Sequence, residues 1–190
     1  IQFASHESLH RGTTVKKIIP WIARLTKRVK LPVVIMSYLN PIDSYGLEAF
    51  ARDAAKAGVT GLIVPDLIPE ESLELKKFLA RRGVHLIHLV APTTPLERQR
   101  RIAKQSGGFL YAVSVAGVTG ARKNLPPETR GWLKKLRGVS ANPVCVGFGI
   151  SGAAQIRQLL GCADGFIVGS ALIDILRKNK AGRRITEASR

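Results

Sequence analysis

Short apolar runs rich in β-branched residues recur along the chain, and longer segments separate them. Continuous apolar runs of this kind are typical of parallel strands that are covered on both faces. We therefore predict six strands, over residues 33–38, 61–65, 84–90, 109–114, 144–147 and 166–168.

Helices are predicted between these strands, because apolar side chains recur there at helical spacing. One stripe comprises Leu47, Phe50, Ala51 and Ala54, a second Leu75, Phe78 and Leu79, and a third Ile156, Leu159 and Leu160. The N-terminal helical region, residues 4–29, contains Pro20, which predicts a kink or two separate helices.

Residue types that favour helix ends support the predicted helices. Gly58 and Gly83 stand just after the second and third helices, where backbone with positive φ is wanted. Ser151 is a candidate cap for the helix after the fifth strand. Pro69-Glu70-Glu71 places proline and acids at a predicted helix start.

The alternation of strands and helices fits either a doubly wound sheet or a closed barrel. No Gly-x-Gly-x-x-Gly follows the first predicted strand, which weakens the dinucleotide-binding version. The glycine-rich turns instead follow the last three strands, where barrels of this class hold phosphate. We predict an α/β fold, a (β/α)8 TIM barrel that is incomplete here, with about six of eight strands present. We expect a single domain over residues 1–190, frayed from about residue 178.

Three glycine-rich turns are the strongest functional signal in the sequence. They read SVAGVTG over residues 114–120, GFGIS over 147–151 and GSA over 169–171. Glycine lets backbone amides approach an anion, and the helix that follows adds a favourable dipole. Thr119 and Ser170 can add hydroxyl donors. Glycine is common in any tight turn, but three such turns after neighbouring strands favour a phosphate site.

Two further candidates follow the first two predicted strands. Asp66 ends the second strand, where its carboxylate would either orient a substrate or a catalytic group, or cap the segment 67–71. The residues leave both readings open. Tyr38 and Asn40 follow the first strand and suit an aromatic wall and a polar contact, although Tyr38 equally fits a core position with a bonded hydroxyl.

The chain carries 30 lysines and arginines against 13 acids, a formal net charge of +17. Such a balance can indicate nucleic-acid binding, which would show as steep salt dependence. The cations are spread over helix faces and the tail without interleaved aromatic residues, so a solvated cationic surface is the favoured interpretation. We therefore expect no nucleic-acid partner. The sequence has no apolar run of membrane-spanning length, so we expect no membrane partner either.

The cysteines and histidines suggest no metal site. Cys145 and Cys162 lie in apolar surroundings, which predicts buried, reduced thiols in a cytoplasmic protein. His6 and His10 stand four residues apart on a predicted helix, a spacing that permits metal binding, but no third ligand is evident. His85 and His88 fall on opposite faces of the third strand. We predict structural roles for all four histidines.

The strand-end segments together resemble the tryptophan synthase alpha subunit family. The matching stretches are VIMSYLNPI at 34–42, GLIVPDLIPEES at 61–72, APTT at 91–94, GFLYAVSVAGVTG at 108–120, GFGIS at 147–151 and ADGFIVGSA at 163–171. With Ile1-Gln2 they span nearly the whole chain in the family's order. The resemblance implies a lyase of tryptophan biosynthesis that cleaves indole-3-glycerol phosphate to indole and glyceraldehyde 3-phosphate.

The resemblance also implies roles for individual residues. The phosphate would be held by Gly120, Gly149, Gly169 and Ser170. The pocket would be lined by Tyr38, Tyr111, Thr119 and Gly147, with Ile1 at its edge, and Asp66 would match the family's acidic residue on this strand. A beta subunit carrying pyridoxal phosphate, in an alpha2beta2 assembly, would face Asn40, Pro41, Leu67, Ile68 and Pro69. No cofactor is expected in this chain itself.

One departure from the family pattern concerns catalysis. The family protonates C3 of indole with one carboxylic acid and holds the indole N–H with a second, and both acids would precede Ile1. We therefore expect a fragment of a longer protein, without lyase activity as the 190 residues alone. Two alternatives stay open: a degenerate subunit that only activates a beta partner, and another phosphate-binding barrel of amino-acid biosynthesis.

Overall fold

The computed structural model describes residues 2–113, 128–147, 150 and 152–178. Its helices are α1 (Gln2–His10), α2 (Val15–Thr26), α3 (Leu39–Tyr45), α4 (Leu47–Lys56), α5 (Leu73–Ala80), α6 (Leu96–Gln105), α7 (Glu128–Val139), α8 (Ala153–Leu159) and α9 (Ser170–Lys178). Its strands are β1 (Val33–Met36), β2 (Val59–Ile63), β3 (His85–Ile87), β4 (Leu89–Val90), β5 (Leu110–Val113), β6 (Val144–Gly147) and β7 (Gly165–Phe166).

Within the described residues the strand pairs are parallel, and a strand overlaps each of the six predicted ranges, although several end two residues earlier than predicted. The third predicted strand is divided at His88: β3 pairs with β2, whereas β4 pairs with β5. The His88 N–H donates to Ser106 Oγ at 3.0 Å, and the His88 carbonyl accepts from the Tyr111 N–H at 3.0 Å. The row of strands therefore changes from one sheet, β1-β2-β3, to the next, β4-β5-β6-β7, at this residue.

On β2, β5 and β6 both faces carry buried apolar side chains, as the continuous apolar runs predicted, whereas one face of β1 is exposed. On the helix-covered side, one core cluster lies under α2 to α5 and a second under α6 to α8. On the opposite side, Ile63, Ile87 and Tyr111 form a third cluster. Since strand side chains alternate between the faces, Leu62 and Ile63 contribute to different cores.

The N-terminal region forms two helices, but the break does not lie at Pro20. The chain turns at Gly12, which has a φ of 69°, and Pro20 lies inside α2. A left-handed glycine ends α1, while α2 continues past its proline because Ile19 and Ile22 on either side are buried. The glycines predicted to end helices are confirmed, since Gly58 and Gly83 have φ values of 82° and 70°.

Two helix predictions were wrong. The helix expected to start at Pro69-Glu70-Glu71 begins instead at Leu73, because the preceding residues form a turn in which the buried Ser72 hydroxyl donates to the Pro69 carbonyl at 2.8 Å. The apolar stripes hold except at Leu160, which lies just beyond α8 and is 58% exposed. Ser151 lies outside the described residues.

Both cysteines are free; Cys162 is buried and Cys145 is half-buried. In the described parts of the chain, no helix combines the length and the apolar character that a membrane span requires. The frayed tail predicted from about residue 178 falls almost wholly outside the described residues, and the single-domain boundary stays a prediction.

Candidate substrate pocket at the carboxyl edge of the sheet

Polar and small residues follow several strands at the same edge of the sheet. Tyr38 comes after β1, Asp66 after β2 and Gly169 after β7, while Gly147 is the last residue of β6. Because these strands are parallel, their carboxyl ends lie along one edge. The structure therefore places these predicted site residues on a common rim. Ile1, Thr119, Gly120 and Gly149 lie outside the described residues.

Tyr111 lies on the inner face beneath this rim. It is 4% exposed and packs with Ile63 and Ile87. A Cβ built on Gly147 would lie 2.2 Å from the Tyr111 hydroxyl oxygen and 2.7 Å from Cζ, so only glycine leaves room for the ring. Burial raises the pKa of Tyr111 to about 12, which keeps the phenol neutral and able to donate a hydrogen bond at neutral pH.

Gly169 and Ser170 lie at the start of α9. Ser170 is the first residue of this helix, and the Gly169 carbonyl accepts from the Ile173 N–H at 3.2 Å. The first amides of an α-helix have no acceptor within the helix, and the helix dipole makes this end favourable for an anion. The exposed Ser170 hydroxyl stands at the same end. This arrangement suits the predicted phosphate role, which stays a prediction.

Asp66 has a structural partner. Its Oδ1 and Oδ2 accept from the Leu39 N–H at 3.0 and 3.2 Å, and Leu39 is the first residue of α3. The carboxylate thus caps a helix that lies earlier in the chain, and not the segment 67–71 that its position suggested. Its candidate catalytic role stays a prediction.

Tyr38 is 65% exposed, so its alternative interpretation as a core residue was wrong. It occupies the N-cap position of α3 with extended backbone, but its side chain makes no capping hydrogen bond. Two neighbours on β1, Val34 and Met36, are also exposed, at 38% and 49%. The exposed ring is available to line a pocket, a role that stays a prediction.

The predicted partner-facing segments differ in how they present their side chains. Asn40 and Pro41 are exposed on α3, and Ile68 is 45% exposed. Leu67, by contrast, is 8% exposed within the core cluster under α2 to α5, and Pro69 is buried. The exposed side chains are therefore the ones available to a partner, and contact through Leu67 and Pro69 stays a prediction.

The four histidines differ in their surroundings, and their structural roles stay a prediction. The Nε2 atoms of His6 and His10 lie 3.2 Å apart on α1, and His85 is exposed next to Gly107. His88 is 3% exposed, and burial lowers its pKa to about 4, so it is neutral at physiological pH. Among the described residues, no group of three metal-ligating side chains lies together.

A row of parallel strands with helices on its outer side, an apolar inner face and a polar carboxyl edge defines a chain of the (β/α)8-barrel enzyme class. The family model of the tryptophan synthase alpha chain matches residues 1–189. The chain belongs to this family, whose members are lyases of tryptophan biosynthesis.

Curated relatives match nearly the whole chain. The tryptophan synthase alpha chain of Synechococcus sp. strain CC9902 is 45% identical over 189 residues, which are 99% of this chain and 70% of the relative. That of Carboxydothermus hydrogenoformans is 46% identical over 176 residues, which are 93% of this chain and 66% of the relative.

Solved structures agree in fold. A chain of the tryptophan synthase a2b2 complex from Pyrococcus furiosus superposes with a TM-score of 0.87 at 32% identity, covering 94% of this chain and 73% of that chain. Mycobacterium tuberculosis tryptophan synthase gives a TM-score of 0.85 at 38% identity, covering 94% and 68%. The predicted TIM-barrel fold is thereby confirmed.

Proposed function

We propose that this chain forms the substrate pocket of a lyase that cleaves indole-3-glycerol phosphate to indole and glyceraldehyde 3-phosphate. The observation that carries the proposal is the arrangement at the ends of β5, β6 and β7. There the Tyr111 ring packs on Gly147, and the N-terminal end of α9 lies beyond the next strand. An apolar floor beside an anion-favouring helix end suits a substrate with an indole ring and a phosphate group.

Each described residue then has a defined task. The amides of Gly169 and Ser170, with the Ser170 hydroxyl, bind the phosphate. The buried Tyr111 forms the floor below the indole and the exposed Tyr38 forms a wall. Proton transfer at indole C3 requires carboxylic acids, which these four residues do not supply. These residues therefore bind and orient the substrate.

The proposal includes a beta partner that carries pyridoxal phosphate, with no cofactor in this chain. The a2b2 complex of Pyrococcus furiosus supports an alpha2beta2 assembly here. The side chains that support a contact surface are Asn40 and Pro41, exposed on α3, and Ile68, exposed on the turn after β2. Two free thiols support a cytoplasmic location.

Binding of indole-3-glycerol phosphate to the purified 190-residue chain, measured by calorimetric titration, tests the pocket. We expect saturable binding that glycerol 3-phosphate competes away. Ser170→Ala should weaken binding about tenfold to a hundredfold, since a hydrogen bond to a charged group is worth roughly 1.5–3 kcal/mol. Ser44 is an exposed serine on α3, so Ser44→Ala is the matched control and should bind the substrate as the unaltered chain does.

Two further measurements separate the alternatives. Indole release from indole-3-glycerol phosphate by the purified chain would favour a catalytic subunit, whereas its absence together with activation of a beta partner would favour a degenerate subunit. Retention on DNA that falls steeply with salt, together with indifference to glycerol phosphates, would favour a nucleic-acid binder and overturn the proposal.

A further inference from the structure

The two segments assigned to the partner surface are joined by one side chain. Asp66 accepts twice from the backbone amide of Leu39, a residue 27 positions earlier. Leu39 begins α3, which carries Asn40 and Pro41, and Asp66 directly precedes the turn that carries Ile68. Two stretches that are far apart in sequence are thus connected through this carboxylate.

The short helix α3 depends on contacts from outside itself. It has seven residues, too few for a helix that is stable alone, and its N-cap Tyr38 makes no side-chain cap hydrogen bond. It is held by the completely buried Ile42, by Leu39 and Tyr45 packed against the same core, and by the Tyr45 hydroxyl, which donates to Asp53 at 2.9 Å. At its N-terminal end the contact is the Asp66 carboxylate, which accepts from the first amide. A carboxylate at this end also meets the favourable pole of the helix dipole.

Asp66 is itself held in place. Val64 and Leu67, on either side of it, are 3% and 8% exposed, and the Leu67 N–H donates to the Val64 carbonyl at 3.2 Å. Leu67 and Ile42 belong to the same core cluster. The carboxylate therefore projects from an anchored turn, so its position fixes the first turn of α3 relative to Ile68.

From this geometry, and resting on the proposed function, we infer that Asp66 is a positioning residue for the beta-subunit contact. It holds α3 and the turn after β2 as one preformed surface. Without the cap, α3 occupies its bound position for a smaller fraction of the time, and the apparent affinity for the partner falls by that fraction. Loss of a helix cap corresponds to about a tenfold shift in such an equilibrium.

The test compares Asp66→Ala, Asp66→Asn and Glu74→Ala in the full chain. Asparagine keeps one acceptor oxygen at the same reach, and Glu74 is a carboxylate in the first turn of a different helix, α5. Amide hydrogen exchange of residues 39–45 reports the cap, and titration with the beta subunit of the Pyrococcus furiosus complex reports the contact. Thermal unfolding of each variant checks that it folds.

For Asp66→Ala we expect exchange in α3 to accelerate about tenfold and beta-subunit affinity to fall about threefold to tenfold. Asp66→Asn should recover most of both, and Glu74→Ala should change neither. Accelerated exchange with unchanged beta affinity overturns the inference but leaves the proposed function standing. Unchanged exchange removes the capping role. Failure of the parent chain to bind any beta subunit would instead contradict the proposed partner.

Discussion

The close approach of Tyr111 to Gly147 leaves no room for a side chain at residue 147. A Cβ at Gly147 would lie 2.2 Å from the hydroxyl oxygen of Tyr111, 2.7 Å from Cζ and 2.9 Å from Cε1. These atoms belong to Tyr111, which is 4% exposed and packs with Ile63 and Ile87. Gly147→Ala therefore requires the ring or the end of β6 to move.

The size of the effect follows from these distances. Ordinary contact needs about 3.4–4 Å between such atoms, so the hydroxyl has to shift by roughly 1 Å or more. Overpacking of this kind in a buried site costs about 1–3 kcal/mol. For a chain of this length, a loss of about 2 kcal/mol lowers the midpoint of thermal unfolding by roughly 4–8 °C.

Thermal and urea unfolding of purified Gly147→Ala, with substrate titration alongside, measure the prediction. Gly131→Ala is the matched control, because a Cβ at that exposed position in α7 meets nothing within 4 Å. Alanine there should stabilise the helix by up to about 1 kcal/mol. The two Gly→Ala changes should therefore shift stability in opposite directions.

A double mutant tests the assigned contact. Tyr111→Phe removes the atom that would lie at 2.2 Å but leaves Cζ at 2.7 Å, so relief in the Gly147→Ala background should be partial, about 1 kcal/mol. Strict additivity of the two changes would show that the atoms do not meet. Full stability of Gly147→Ala alone would likewise refute the packing argument.

Other predictions concern positions away from the pocket. His88 has a pKa of about 4 in the fold against 6.5 ordinarily, so the unfolded chain binds more protons between these two pH values. The free energy of unfolding should therefore fall by up to roughly 3 kcal/mol as the pH drops from 6.5 towards 4. Urea unfolding of His88→Phe should show a flatter dependence of stability on pH. Asp164→Ala removes the acceptor of the first β6 amide at 2.8 Å and should cost about 1–2 kcal/mol in the same assay. Gly58→Ala should cost more than Gly83→Ala, because both have positive φ but only Gly58 meets Thr26, at 3.0 Å; equal costs would contradict this reading.

The strands were predictable because their signal is local. Residues buried on both faces produce continuous apolar runs, and a strand overlaps each of the six predicted ranges. The division at His88 was not predictable, since the residue lies within an apolar run. The chain changes partners there because the His88 amide donates to Ser106, a side chain 18 residues away.

Helix ends were predictable where a single residue decides them. Gly58 and Gly83 adopt the left-handed backbone that favours glycine, and their positions were read correctly. The two helices predicted in the N-terminal region are present, but they are divided at Gly12, and buried neighbours keep α2 continuous at Pro20. The start of α5 was misread, since the turn before it depends on the Ser72 hydroxyl.

Within the candidate site, two tyrosines show what neighbouring residues in the sequence cannot predict. Tyr38 and Tyr111 both belong to predicted strands, and nothing in their flanking residues separates them. Tyr111 lies on β5, which has paired strands on both sides, and it is 4% exposed. Tyr38 follows β1, which within the described residues pairs with β2 alone, and it is 65% exposed. Burial of a strand side chain depends on how many strands flank it, a property of the sheet order. Contacts between distant parts of the chain also decide that Asp66 caps α3. The location of the rim was therefore predictable from the sequence, whereas the hydrogen-bond partners of its residues were not.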